Sequence, residues 1–573
     1  MNISAALQAM RDGRLADARY HLEQLIEQSS DKPELHYNLA MVLIRMEDFS
    51  GAAQHFRACL KHAPDNVDLL NNLANALRLS GQQSEALETF NKILRLSPTH
   101  PPARCNRGWL FMATGDLRSA ESDFRATLGQ SKDIEEAWRG LADALLAQGK
   151  FTDVQKVLQE SLTRFPDSAG LQNSMGVLHV KMRTPASALA SFNKAVSLNP
   201  EHAEALTNLG ITAEQLGDFD LAEKSLQHSL RVRPGHASTH FHLAHLATHQ
   251  STPAEISALE SALADSANDD TARIDLEFAL GKSCAKMGEY ERAFQQFSSA
   301  RKRLHQTEYF DNESAIAELN AQMHYKVTLS EQSAPEILFI TGMPRSGTTL
   351  TDQILAAHSQ VCSLGESGAL LELHSKLAGL TKNSTNQLNE GSKSKITAWL
   401  RQRLKNHESA PVTLDTSPGQ FANLGLLAEL LPEARFILCT RNAIDNCVSI
   451  FEQPLTRSHG YANTLEHLGQ YYSAYEKLMA HWKNQLQDRL YIQNYEALIA
   501  SPEQQITSLL EHCELPFEQA CTDFHLQQRA VLTPSAAQVR QPLNSRSIGR
   551  WRHYEHFLGE LISQLPGDHN QPE

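Results

Sequence analysis

The sequence predicts two folds in tandem: an N-terminal all-α solenoid of helical hairpins, then a C-terminal P-loop-like α/β domain with a parallel sheet. Three observations carry this. Prolines recur in one phase through the first half of the chain. The hydrophobic pattern changes from helical spacing to short apolar runs near Glu336. A Gly-rich turn then stands between the first such run and a helical segment. At 573 residues the chain has room for about three to four domain-sized blocks.

The repeat is read from Pro64, Pro98, Pro166, Pro200 and Pro234, spaced by 34 or 68, with Lys132 at the missing position. Twelve residues before each stand Ala52, Ala86, Ala120, Val154, Ala188 and Ala222, and four residues further on Phe56, Phe90, Phe124, Leu158, Phe192 and Leu226. Small residues let two antiparallel helices approach, the large residue fills the space between successive units, and the proline ends the second helix. The pattern resembles the tetratricopeptide repeat, a helix–turn–helix unit of 34 residues. Ala5-Ala6 and Ala18 extend it backward, STPAEISALESALADSANDDTAR interrupts it, and Leu280-Gly281, Ala293 and Phe297 resume it. We read about eight hairpins over 1–305, one of them irregular, a linker over 306–334, and the α/β domain over 335–573. The array fits a concave groove for a peptide or protein, or else a spacer or self-association surface.

The chemistry lies in the second half. EILFIT reads as a strand, GMPRSGTT as a turn and LTDQILAAH as a helix, an arrangement whose backbone N–H groups and helix N-terminus attract an anion. Gly342 and Gly347 are five apart, but Thr348 stands where a Walker loop needs Lys, and Arg345 supplies the positive charge instead. Nucleotide triphosphate hydrolysis and small-molecule kinase activity are disfavoured by that substitution. Arg345, Ser346, Gly347, Thr348 and Thr349 are the expected anion cradle. A second strand, RFILCT, ends at Arg441 and leads into NAIDNCVSIFEQ, with Ser449 eight residues on. Ligands of parallel α/β sheets collect at such strand ends, so Arg441 and Ser449 suit a second phosphate, although an Arg there is also the pattern of a surface salt bridge.

ILFITGMPRSGTTLTDQILAAH and RFILCTRNAIDNCVSIF resemble the two phosphate-binding elements of PAPS-dependent sulfotransferases, PAPS being 3′-phosphoadenosine 5′-phosphosulfate. The whole chain resembles bacterial tetratricopeptide-repeat sulfotransferases, and its second half is similar to tyrosylprotein sulfotransferases. The resemblance implies that the first turn takes the 5′-phosphosulfate and that Arg441 with Ser449 takes the 3′-phosphate, without a metal. It implies a catalytic base at Glu366, in the turn CSLGESGAL, where the residues alone would also suit a solvated turn. It further implies nucleotide contacts from Tyr495, which also fits a core aromatic, and from Arg546 and Ser547 in RQPLNSRSIGRWRHYE, which also reads as a solvated basic loop. One departure stands out: the family places a Lys before a proline between the phosphate sites, and in LDTSPGQF that place falls to Thr416.

The expectation is a sulfotransferase that moves a sulfuryl group to an acceptor hydroxyl, a protein tyrosine among the candidates, with Glu366 and Arg345 catalytic and the repeat array recruiting the acceptor. The rival reading is a nucleotide-binding scaffold with a degenerate sulfotransferase domain. The net charge of −14 argues against a nucleic-acid-coating role. The absence of an 18-residue apolar run and of a basic start before an apolar core points away from a membrane span and a signal peptide. Eight scattered cysteines without a CxxC pair fit a reducing cytoplasm better than a disulfide or zinc framework.

Overall fold

The computed structural model describes residues 3–266, 269–329, 333–380, 390–405, 410–455, 457–527, 529–531, 533, 536 and 538–567. The chain divides into two compact units, Met1–Ala205 and Leu206–Glu573.

The first unit is a run of antiparallel helix pairs, from Ile3–Arg11 with Leu15–Gln28 to Ala169–Lys181 with Pro185–Leu198. The phased prolines do what their chemistry requires. Helices end at Leu96, Arg164 and Leu198, each two residues before Pro98, Pro166 or Pro200. The small-to-large rule is visible as geometry. A Cβ on Gly140 would lie 2.3 Å from the Phe124 ring, and one on Gly176 would lie 2.4 Å from the Phe192 ring. Phe56, Phe90 and Phe124 are wholly buried at these crossings.

Helix pairs continue into the second unit: Ala203–Leu216 with Phe219–Val232, Ala237–His245 with Pro253–Asp265, and Asp270–Lys286 with Tyr290–Thr307. The middle pair is the irregular one. Its first helix has only 9 residues, and its second opens with a capping box between Thr252 and Glu255. Nine pairs therefore stand among the described residues, against about eight expected. The stretch 306–334, read as a linker, contains the helix Asn312–Gln322.

The last pair does not end as a free stack. Arg301 is 1% exposed and donates to the carbonyls of Ile450 at 2.6 Å and Phe451 at 3.0 Å, to that of Gln453, and to Asn463 Oδ1 at 3.3 Å. Those carbonyls close the helix Ala443–Phe451, where acceptors are left over and a cation is favoured. Phe294 stacks on Phe451 and Phe557, and Tyr290 lies flat on His553 at 4.0 Å. Leu276, Phe278 and Leu280 share one hydrophobic core with Phe339, Phe436 and Leu438 of the sheet.

The sheet has five parallel strands: β1 (Ile337–Gly342), β2 (Val361–Ser363), β3 (Val412–Thr416), β4 (Ala434–Thr440) and β5 (Leu490–Asn494), in the order β2-β3-β1-β4-β5. All six residues of β1 are buried, as the mostly apolar run ILFITG suits a strand covered on both faces. The chain leaves β1 toward β2 on one side and fills the other side only with β4. A crevice consequently opens beyond the C-terminal ends of β1 and β4. No helix among the described residues is long and apolar enough to cross a membrane.

Candidate active site

The turn after β1 is shaped by close backbone approach. Gly342 has φ +148°, and a Cβ there would sit 2.5 Å from the Cys439 carbonyl of the neighbouring strand. Only glycine fits. Arg345 holds φ +67°, in the left-handed region that costs a residue with a side chain, so its position is set by the turn rather than by preference. The helix Thr348–Ala356 then begins with its N-terminus at the turn.

The second element comes from β4. Arg441 donates from Nη1 to the Arg345 carbonyl at 3.3 Å, and from Nη2 to the Ser547 carbonyl. Its guanidinium lies 5.1 Å over the Tyr495 ring. Arg345 Nε donates to Ser449 Oγ at 3.3 Å, and Asn446 Nδ2 donates to the Pro344 carbonyl at 2.7 Å. The helix Ala443–Phe451 is thus laced to the turn. The Arg345 guanidinium is pushed down to about 10 by burial and by the like charges of Arg441 and Arg550.

A cavity of about 500 Å³ lies here, lined by Arg345, Gly347, Thr348, Thr349, Glu366, Arg441, Ser449, Tyr495, Arg546 and Ser547. The expected site residues therefore converge on one space, with Ser346 as the exception. Its hydroxyl is turned in behind the turn, 2.7 Å from where a Gly342 Cβ would be. It has no hydrogen-bond partner among the described residues, and neither does the buried Nε of Arg441. Glu366 is exposed at the rim. Its turn is pinned from both sides: Ser367 Oγ and Ser417 Oγ donate to the buried Asp415 carboxylate, and the Thr416 amide donates to the Gly365 carbonyl at 3.0 Å.

Thr416, the expected Lys position, does not line the cavity. It is buried and donates from Oγ1 to Asp352 Oδ1 at 2.9 Å. Asp352 also pairs with Arg529 at 2.9 Å and accepts from Ser363 Oγ at 2.5 Å. The positive charge of the cavity wall comes instead from Arg345, Arg441, Arg546 and Arg550.

Arg550 was not singled out by the sequence. It pairs at 2.9 Å with Glu452, a carboxylate 2% exposed, and that charge raises its affinity for its proton. Burial works against ionised Glu452, yet Arg550 and Lys282 hold it below the usual carboxylate range. Asp445 accepts from the Gly549 and Trp551 amides at 2.5 and 3.0 Å, so the C-terminal stretch hangs on the helix that carries Ser449. No signal in the sequence marked this pair, since the burial of Glu452 is visible only in the folded chain. The cavity also takes in His459, Pro418 and Gln538. No group of three or more metal-ligating side chains occurs among the described residues.

Comparison with known proteins gives a family match in each half of the chain. Residues 335–519 match the model of a sulfotransferase family, and residues 3–58, 37–101, 105–169 and 174–237 match a tetratricopeptide repeat model. An uncharacterized protein of Aquifex aeolicus (strain VF5) is 24% identical over 566 residues, covering 92% of this chain and 73% of its own. A Caenorhabditis briggsae protein named "Putative protein-tyrosine sulfotransferase" is 26% identical over 249 residues, covering 40% of this chain and 85% of its own. Human protein O-mannosyl-transferase TMTC3 is 23% identical over 238 residues, and this chain spans only 26% of its length. The chain thus joins tetratricopeptide repeats to a sulfotransferase-family domain, and that domain makes it a sulfotransferase.

Proposed function

We propose that the enzyme transfers a sulfuryl group from PAPS to an acceptor hydroxyl, that of a protein tyrosine, and that the repeat array recruits the acceptor. The observation carrying this reading is the convergence of the β1 turn and the β4 end on one cavity with four arginines in its wall and a carboxylate at its rim. The residues present suit PAPS. Two anionic groups need two cationic cradles, and the unpartnered Nε of Arg441, a cavity-lining residue, is a donor still to be satisfied. Arg345 to Thr349 would hold the 5′-phosphosulfate. Arg441 and Ser449, with Arg546, Ser547 and Arg550, would hold the 3′-phosphate beside Tyr495. PAPS, when bound, supplies an activated sulfuryl group.

Glu366 takes the proton from the acceptor hydroxyl as it attacks, and Arg345 balances the negative charge gathering on the leaving side. Positioning and fixed positive charge supply most of the rate, as in phosphoryl transfer. A protein acceptor is supported by the repeats and by the name of the C. briggsae relative. The cysteine usage supports work in a reducing cytoplasm.

The test has two arms. Adenosine 3′,5′-bisphosphate should bind about tenfold or more tightly than AMP in calorimetry, and Arg441→Ala should erase most of that preference. Equal affinity for the two nucleotides sinks the donor assignment. Glu366→Gln should lower turnover by about 10²–10⁴ with donor affinity little changed. A fall under about fivefold assigns the base elsewhere.

A further inference from the structure

The stretch 538–547 forms one wall of the cavity through Gln538, Val539, Gln541 and Pro542, and Gln538 Oε1 accepts from Arg345 Nη2 at 3.4 Å. Arg540 belongs to this stretch but is not among the lining residues. It reaches outward to the helix hairpin 203–232. Its Nη2 donates to the Gln215 carbonyl at 2.9 Å and to the Arg529 carbonyl at 2.7 Å, and Nη1 donates to the Gln527 carbonyl at 3.4 Å. The Val531 amide donates to the same Gln215 carbonyl at 3.0 Å. Gln215 lies in the last turn of Ala203–Leu216, where helix carbonyls lack partners and the dipole favours a cation.

The hairpin turn itself is fitted to the arginine. Gly217, at φ +89°, would place a Cβ 2.9 Å from Arg540 Cζ. Gly13, Gly81, Gly115, Gly149 and Gly288 also have positive φ in turns between paired helices, yet a Cβ on any of them would meet nothing within 4 Å. Arg540 fills a place that stays open in those other turns.

We propose that Arg540 is a positioning residue for the donor: it fastens the cavity wall 538–547 to a hairpin of the repeat array, so that donor affinity depends on that hairpin. The inference rests on the donor reading above. An unfastened wall has to be ordered when the nucleotide binds, so the apparent affinity falls by the fraction of time the wall is in place.

The experiment is calorimetry of the full chain with adenosine 3′,5′-bisphosphate, together with steady-state kinetics varying PAPS. Arg540→Ala is expected to weaken bisphosphate binding by about tenfold and to raise the donor KM similarly, with kcat within about threefold of the parent. Gly217→Ala, which displaces the guanidinium, is expected to do the same. Gly288→Ala, with the same left-handed strain and open space, is expected to leave affinity within about twofold. Parent-like binding by Arg540→Ala overturns the proposal, as does equal weakening by Gly217→Ala and Gly288→Ala. If Arg540→Ala fails to fold, the two glycine variants decide the matter by themselves. A parent enzyme that does not bind the bisphosphate overturns the donor reading, and this inference with it.

Discussion

The hairpins of 3–205 and those of 206–307 obey one packing rule and yet have different work. In both, a small residue faces a large one: Gly140 under Phe124 in the first set, Gly281 under Phe297 in the second. In the first set the charged side chains serve their own array, as Arg57 does with Glu85 and Arg107 with Asp123. In the second set, positions the rule leaves unspecified are taken by the α/β domain. Arg301 closes the helix carrying Ser449, Tyr290 and Phe294 pack on the 3-10 helix Arg550–Phe557, and Gly217 receives Arg540. The repeat motif specifies a hairpin, and the unspecified surface decides whether that hairpin packs only within the array or also on the α/β domain.

Truncation tests this comparison with the largest effect. A chain starting near residue 330 lacks the hairpins whose side chains share the sheet's core, and it should lose the fold and bisphosphate binding together. A chain starting at 206 retains them. It should bind bisphosphate within about threefold of the full chain while losing turnover on a macromolecular acceptor. Donor binding that survives the cut at 330 would return the last hairpins to the array.

Single substitutions sharpen the contrast. Arg301→Ala leaves buried carbonyls at the end of the Ala443–Phe451 helix without a donor and should cost about 3 kcal/mol or more. The loss should appear as reduced hydrogen-exchange protection of that helix and weaker bisphosphate binding. Arg57→Ala removes an exposed pair and should cost under about 1 kcal/mol, with donor binding intact. Similar outcomes for the two arginines would remove the distinction between the sets.

The effect of Gly140→Ala is expected to stay within the first unit. The added methyl meets the buried Phe124 ring, and overpacking of that kind costs about 1–3 kcal/mol. It should lower protection of the neighbouring helices within 3–205 and leave bisphosphate affinity unchanged, since the residues lining the cavity begin at Ala247. A parallel loss of donor affinity would show that the first unit acts on the site.

What was legible in the sequence had a local cause. Strand, Gly-rich turn and helix are contiguous, so Arg345, Thr348 and Thr349 could be placed from spacing, and β4 with its following helix placed Arg441 and Ser449 in the same way. The family resemblance added Glu366, Tyr495, Arg546 and Ser547, and the cavity contains all four. Ser346 was legible as part of the turn, but not the direction of its hydroxyl, which depends on how Gly342 passes Cys439. Thr416 was aligned to a charged position, and its burial against Asp352 shows that the neighbouring wall had been filled another way.

The sequence by itself determined the 34-residue hairpin and the Gly-rich turn between strand and helix, because each follows from residues within a few turns of chain and from backbone sterics that act locally. Only the tertiary structure decided where the repeat array stops and the α/β domain begins. Arg301 meets its carbonyls about 150 residues away, Arg550 meets Glu452 98 residues away, and Arg540 meets Gln215 325 residues away. A guanidinium on a helix face or in a basic loop has the same sequence whether it stays in water or closes a buried helix end. Its role is set by the carbonyl or carboxylate that folding brings to it, since a buried charge is tolerated only where such partners are supplied.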